Sequence, residues 1–285
     1  MIEIFRDRMS KSGLSLHDAI LRNVKNGLRN GTSEFLFQEN KEQKLCDLMK
    51  INVISHFYNP KKYIGPPPPP KQAESDPLSP PYNEKVNVIH LMGGPAHYII
   101  PNKDLVKFGH IVISSDNPRD MQGEPLDDRD FACLADIFSE FDEHGIAYYN
   151  SGIESGCSQL HKHFQYIPYD EHPIVDAILQ GRKIPFQIYK RQMEWFNFDS
   201  IKKAYTELLD EAKNGRYGKQ MKAYNFVLTK KLALFVPRSR ARSSFQIIIN
   251  SLGICGHLFL WETSDSRILQ YPMSTISEVC YPPIQ

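Results

Sequence analysis

A chain of 285 residues can hold one large or two modest domains with a full core, and its 41% hydrophobic and 24% charged residues are ordinary for a soluble globular protein. A formal net charge of +1 excludes the global field that recruits nucleic acid or an acidic membrane, while leaving room for a local basic pocket. Five scattered cysteines (Cys46, Cys133, Cys157, Cys255 and Cys280), no signal-peptide core in the first thirteen residues and no apolar run of bilayer length predict a reduced, cytoplasmic setting, with the nucleus as the alternative.

Residues 1–58 read as mainly helical. Leu16, Ala19, Ile20, Val24 and Leu28 recur at helical spacing up to the stop at Asn30-Gly31, and residues 41–48 suggest another helix. Residues 59–85 are proline-rich, with prolines at 66–70 and again at Pro77, Pro80 and Pro81, and read as a surface loop or tether. Short strands are expected at 86–91, 97–100 and 110–114. Asp127-Asp128 opens a helix carrying Phe131, Leu134, Phe138 and Phe141 on one face, and a strand at 145–150 follows. A glycine- and serine-rich loop at 151–159 then leads into a strand around His161 and His163.

After Pro168 the pattern is helical and then mixed. Asp199 reads as the cap of a helix bearing Ile201, Tyr205, Leu208, Leu209 and Ala212, ended by Asn214-Gly215. Residues 224–229 and 232–236 read as a hairpin across Lys230-Lys231, 245–250 and 257–261 as further strands, and 275–279 as a short terminal helix. This order predicts an α+β fold, a mainly antiparallel sheet with packed helices. It divides into a helical N-terminal region with the proline-rich loop at 1–85, a catalytic region at 86–182 and a C-terminal region at 183–285.

The chemistry concentrates in Ser155-Gly156-Cys157-Ser158-Gln159 and the following His161-Lys162-His163-Phe164-Gln165. On a strand, alternate side chains share a face, which puts His161, His163 and Gln165 on one side and Lys162, Phe164 and Tyr166 on the other. An imidazole can attack phosphorus and carry the phosphoryl group covalently, while an amide and loop N–H groups hold oxygens whose charge grows. Spacing alone leaves open a purely structural pair of histidines, and a metal site if His97 or His110 converges on His161 and His163. The chain lacks closely spaced cysteine pairs, H-E-x-x-H and an Asp-rich calcium loop, which weighs against the metal.

Taken with Asn150-Ser151-Gly152 upstream, these motifs resemble those of the fungal-type ATP adenylyltransferases, or diadenosine tetraphosphate phosphorylases. These are relatives of galactose-1-phosphate uridylyltransferase in the histidine triad superfamily. The similarity includes Asn102-Lys103, the strand at 108–113, the segments 224–229 and 235–239, and Asn250-Ser251-Leu252-Gly253 with Gly256, so it covers roughly residues 86–280. It implies a histidine-triad-like sheet, His163 as nucleophile on an α-phosphorus, His161 as its orienting neighbour, and Gln165 as a hydrogen-bond donor to the transferred group. Gln165, where the hydrolase branch has a third histidine, implies transfer to phosphate rather than water. Ser155, Gly156, Ser158 and Gln159 would cradle the other phosphates, Asn150 would reach ribose or phosphate, and Lys103 and Arg238 would clamp phosphate.

The implied partners are a small-molecule nucleotide and inorganic phosphate, with no nucleic acid and no membrane. No tightly bound cofactor or protein-held metal is implied, only a divalent cation such as magnesium travelling with the nucleotide. The family's early Pro-Ser-Leu-x-x-Lys-Pro stretch has no counterpart here. A nucleotide-binding protein with reduced or lost turnover, or a transferase using another nucleotide, is therefore the alternative. Base preference and oligomeric state are not legible.

Overall fold

The computed structural model describes residues 2–6, 9–10, 13–59, 76–92 and 96–284; the prolines at 66–70 lie outside them. The N-terminal part holds β1 (Ile2–Arg6), β2 (Met9–Ser10), α1 (Leu16–Asn30), β3 (Glu34–Phe35), β4 (Phe37–Cys46) and β5 (Asn52–Tyr58). Next come β6 (Val88–Leu91), β7 (His97–Pro101), β8 (Asp104–Leu105), β9 (Ile111–Ser115), α2 (Asp128–Glu140), β10 (Ile146–Ser151), β11 (His163–Ile167) and α3 (Pro173–Leu179). The chain ends with β12 (Tyr189–Gln192), α4 (Phe198–Asn214), β13 (Ala223–Thr229), β14 (Leu232–Arg238), α5 (Ser251–Ile254), β15 (His257–Leu260), α6 (Arg267–Gln270) and α7 (Pro272–Ser277).

Ten strands form one sheet in the order β12-β14-β13-β10-β11-β9-β7-β6-β1-β2. Every pairing in it is antiparallel except β1 with β6, so the α+β, mainly antiparallel expectation holds. Strands from all three expected regions enter this one sheet.

Alternation along the strands splits the core in two. Ala147, Tyr149, Phe164, Tyr166, Phe226 and Phe235 face α1, α2 and α4, while Ile146, Tyr148, Ile167, Val227, Leu234 and Val236 face α3, β5, β15 and the C-terminal helices. The helices start and stop on local chemistry. Ser15 caps α1 by accepting from Asp18 N–H, and Gly31 ends it in the left-handed region at φ 76°. Asp127 and Asp130 form a reciprocal capping box on α2.

Several expectations fail for reasons of tertiary context. Residues 41–48 are not a helix: most of them belong to β4, which pairs antiparallel with β5 at Glu42↔His56 and Lys44↔Ile54 in a separate sheet, β15-β5-β4. Its charged residues suit an exposed edge, where Lys41 and Lys44 reach Glu262 and Glu171, and pairing overrides helix propensity. Among the described residues of the first 58, strand therefore outweighs helix, and α1 is the one helix. Asn197, not Asp199, caps α4. Residues 245–250 have no ladder partner beyond an isolated bridge, although Ile247 and Ile249 are buried; Gln246 turns the chain at φ 62°. Nor is the proline-rich stretch wholly a tether, because Leu78 is buried against Val88, Ile100 and Val112.

Three buried imidazoles tie the smaller sheet to α3. The Tyr169 carbonyl lies 2.8 Å from His172 Nε2, which must therefore donate, leaving Nδ1 to accept from His257 Nε2 at 3.2 Å. His257 Nδ1 in turn accepts from His56 Nε2 at 3.0 Å. One carbonyl thus sets the tautomer of the whole chain.

Candidate active site

The row Leu234–Val227–Tyr148–Gln165–Val112–Ile100 crosses one face of the large sheet. Helices and the smaller sheet cover its first half. Over the second half lies a cleft of about 690 Å³. Gln165, His163, Val112 and Ile100 form its floor, residues 76–83 one wall, and Lys103, Ser158 and Gln159 its rim.

His163 is held by main chain and side chain together. The β10–β11 ladder ends at Tyr148↔Gln165, and the Gln122 side chain fills the gap beyond. Its Oε1 accepts from His163 N–H at 2.7 Å, and its Nε2 donates to the His163 and Asn150 carbonyls, each at 2.9 Å. His163 Nδ1 lies 2.8 Å from the His161 carbonyl, so the proton sits on Nδ1 and Nε2 carries the lone pair. Burial pulls this imidazole down to about 4, so it is neutral at pH 7. A neutral histidine with a bare Nε2 on the floor of a cleft is a competent nucleophile.

Gln165 is oriented as strictly. Its Oε1 accepts from Tyr148 Oη at 2.8 Å, His110 Nε2 at 2.9 Å and Asn102 Nδ2 at 3.3 Å. His110 Nε2 lies within reach of both Gln165 Oε1 and Asn102 Nδ2, the latter at 3.0 Å, its Nδ1 accepts from Val106 N–H, and burial keeps the ring neutral by pulling it down to about 4. With the oxygen taken up, the Gln165 amide N–H groups are left for the cleft.

Four candidates lie elsewhere. Arg238 is 1% exposed and gives its guanidinium to the carbonyls of Ser155, Val279 and Arg240 and to Asn225 Oδ1, so it braces the loop from behind instead of clamping phosphate. Asn150 Oδ1 accepts from Ser251 N–H at 3.0 Å, Ser251 Oγ at 2.7 Å and Asn225 Nδ2 at 2.8 Å, joining β10 to the start of α5. Ser155 is fully buried and its hydroxyl donates to the Gly152 carbonyl. Gly156 has its N–H on the Ile153 carbonyl. Its φ of 84° and the Ile249 carbonyl, which a Cβ would meet at 2.9 Å, make it the point where the loop passes residues 249–250.

Lys103 is exposed at the rim and makes no ion pair among the described residues. His161 precedes β11 and packs against the 76–83 wall, which contains residues that the sequence did not single out. His97 does not converge on the histidine pair: it contacts Asp130 at 2.9 Å on the opposite face, where Lys162 also pairs with Asp130. Burial pushes the Cys157 thiol up to about 11, unsuited to a nucleophile.

Comparison with known proteins is decisive for the family. The model of the Ap4A phosphorylase N-terminal domain matches residues 61–186, and that of the ATP adenylyltransferase C-terminal domain matches residues 182–282. The chain belongs to the ATP adenylyltransferase (Ap4A phosphorylase) family. Within that family it is similar to Protein APA1 of Saccharomyces cerevisiae, 27% identical over 269 residues, which span 81% of this chain and 82% of that protein. Diadenosine 5',5'''-P1,P4-tetraphosphate phosphorylase 2 of the same yeast is 25% identical over 223 residues, 65% of this chain and 68% of that one. The family fold is also seen in the crystal structure of yeast Ap4A phosphorylase Apa2 in complex with Ap4A, at a TM-score of 0.78 and 21% identity, covering 95% of this chain and 98% of that one. The complex of Apa2 with AMP gives 0.77 at 22% identity over the same shares.

His163 and His110 beside the cleft and the three imidazoles between the smaller sheet and α3 are buried and neutral, and this carries a pH dependence. His56, His110, His163 and His172 are each pulled to about 4 by burial, and His257 lies well below its ordinary value for the same reason. In the unfolded chain they protonate near pH 6.5, so between pH 6.5 and 4 the unfolded state binds more protons and stability rises with pH. Each such group contributes on the order of 1.4 kcal/mol per pH unit within that window. Thermal melts should therefore give a plateau above pH 7 and a steep loss from pH 6.5 to 4. A flat profile there would mean that these rings are solvated.

Proposed function

We propose that this protein cleaves diadenosine tetraphosphate with inorganic phosphate to ATP and ADP, through an adenylyl group carried on His163. The His163 Nε2 lone pair attacks the α-phosphorus; the P–N bond forms as the bond to the bridging oxygen breaks, and ATP leaves with that electron pair. A phosphate oxygen then attacks the same phosphorus, the P–N bond breaks, and ADP departs. The Gln165 amide donates to the phosphoryl oxygens, whose charge shifts in both steps. Lys103, Ser158 and Gln159 meet the remaining phosphates at the rim. A divalent cation such as magnesium enters with the polyphosphate, bound to its oxygens.

The observation that carries this reading is the locked tautomer of His163 beside the locked amide of Gln165, on the floor of one cleft. The 25% identical yeast diadenosine tetraphosphate phosphorylase, and the Ap4A complex of Apa2, support the substrate. No described helix is long and apolar enough to cross a membrane. The test is incubation with diadenosine tetraphosphate and phosphate, products resolved by chromatography. ATP and ADP are expected in equal amounts. AMP as the main product would make the protein a hydrolase, and binding without product would make it a nucleotide-binding protein.

A further inference from the structure

The wall of the cleft carries a carboxylate where a polyanion must bind. Asp76 Oδ2 stands 2.6 Å from His161 Nδ1, with Ser79 Oγ 3.1 Å from the same nitrogen. A carboxylate offers only lone pairs at this distance, so the proton of the contact sits on His161 Nδ1. The other ring nitrogen, Nε2, is buried and has no hydrogen-bond partner among the described residues.

Asp76 is itself built in. Its Oδ1 accepts from Leu78 N–H at 2.9 Å, closing an Asx turn. The Leu78 carbonyl accepts from Ser114 Oγ on β9 at 3.0 Å and from Tyr82 Oη at 2.9 Å. The turn is thus fastened to the strand next to β11. His161 in turn touches the nucleophile through its main chain, because its carbonyl takes the His163 Nδ1 proton.

We propose that Asp76 is a positioning residue for adenylyl transfer: it fixes the His161 proton on Nδ1 and, through that ring and its carbonyl, keeps the His163 Nε2 lone pair facing the α-phosphorus. The proposal rests on His163 being the nucleophile. A negative charge lining this cleft repels a polyphosphate, so it weakens substrate binding wherever it has any effect on it. Its contribution lies in the rate. Without the charge, either His161 nitrogen can hold the proton and the ring is free to turn. Residue 161 then keeps only its main-chain bonds beside Met121, the carbonyl that sets the His163 tautomer is held less firmly, and a share of the molecules places the proton on Nε2, where it blocks attack.

The test compares Asp76→Asn and Asp76→Glu with the wild type in single-turnover formation of adenylyl-histidine, with KM for diadenosine tetraphosphate and the melting temperature measured in parallel. Asp76→Asn should adenylylate tenfold to a hundredfold more slowly, as roughly expected when a carboxylate that orients a working histidine is lost. Its KM should be unchanged or lower, its melting temperature near that of the wild type, and Asp76→Glu should recover part of the rate. Nitrogen NMR of labelled imidazoles should show the Nδ1 proton of His161 fixed in the wild type and exchanging between nitrogens in Asp76→Asn. Equal rates in Asp76→Asn and wild type overturn the proposal. So does a raised KM with a lowered melting temperature in both variants, which would mark Asp76 as part of the wall only. A wild type that forms no adenylyl-histidine overturns the nucleophile reading and this proposal with it.

Discussion

Replacing His163 with alanine is expected to abolish adenylyl-enzyme formation while leaving nucleotide binding within a few-fold of wild type. The side chain supplies the only atom that the proposed covalent route attacks with, a lone pair kept bare by the hydrogen bond from Nδ1 to the His161 carbonyl. The rim residues Lys103, Ser158 and Gln159 are untouched by the change, and in the proposed reading they meet the phosphates. Removing a covalent nucleophile costs on the order of 10⁴-fold or more in rate. Trapping labelled adenylyl-enzyme after denaturation, alongside equilibrium binding, separates the two effects. A mutant that still accumulates the intermediate would remove His163 from the mechanism.

Gln165→Ala is expected to slow adenylylation about a hundredfold, roughly 2.7 kcal/mol of transition-state stabilisation, with little change in affinity. The amide is held before substrate arrives: Tyr148, His110 and Asn102 occupy its oxygen, so its N–H groups need no reorganisation to meet the growing charge. Preorganisation is what makes such a donor worth more in the transition state than in the ground state. The alanine also removes the acceptor shared by Tyr148 Oη, His110 Nε2 and Asn102 Nδ2, leaving these buried or half-buried groups to pair only with one another, a cost of about 1–3 kcal/mol in stability. Melting temperature must therefore be measured beside single-turnover rates. Equal adenylylation rates in the two proteins would make Gln165 a structural residue.

What the sequence made legible is what is encoded locally. Asp127 followed by an apolar stripe announces α2, and the alternation at 161–166 sorts the strand into two faces, with Phe164 and Tyr166 buried among helices and Gln165 on the cleft side. The charged segment at 41–48 misled because its conformation is set by β5 and not by its own propensity. Arg238 misled in the opposite way: its residue type suggests phosphate, but its place at the end of β14 puts it under the loop. Gln122 and Asp76 were missed because they reach the histidine segment from 41 and 85 residues away, with no motif around them. Only folding brings an isolated glutamine into the gap between two splayed strands.

The pairing of β5 with β15 has a consequence for the order in which this chain is made. Ile54 sits opposite His257 in a parallel register, about 200 residues later in the chain. During synthesis β5 emerges about 200 residues before the strand that completes its sheet. Until then its apolar residues Val53 and Ile54 have no β15 to lie beside, and one row of its backbone groups is open to any other extended chain. Non-local contacts of this kind slow folding because the long loop must close before they form. The strongly charged β4 on the other side of β5 closes the opposite edge early, with only neighbouring residues required. In the smaller sheet one edge therefore stays open until β15 has been made.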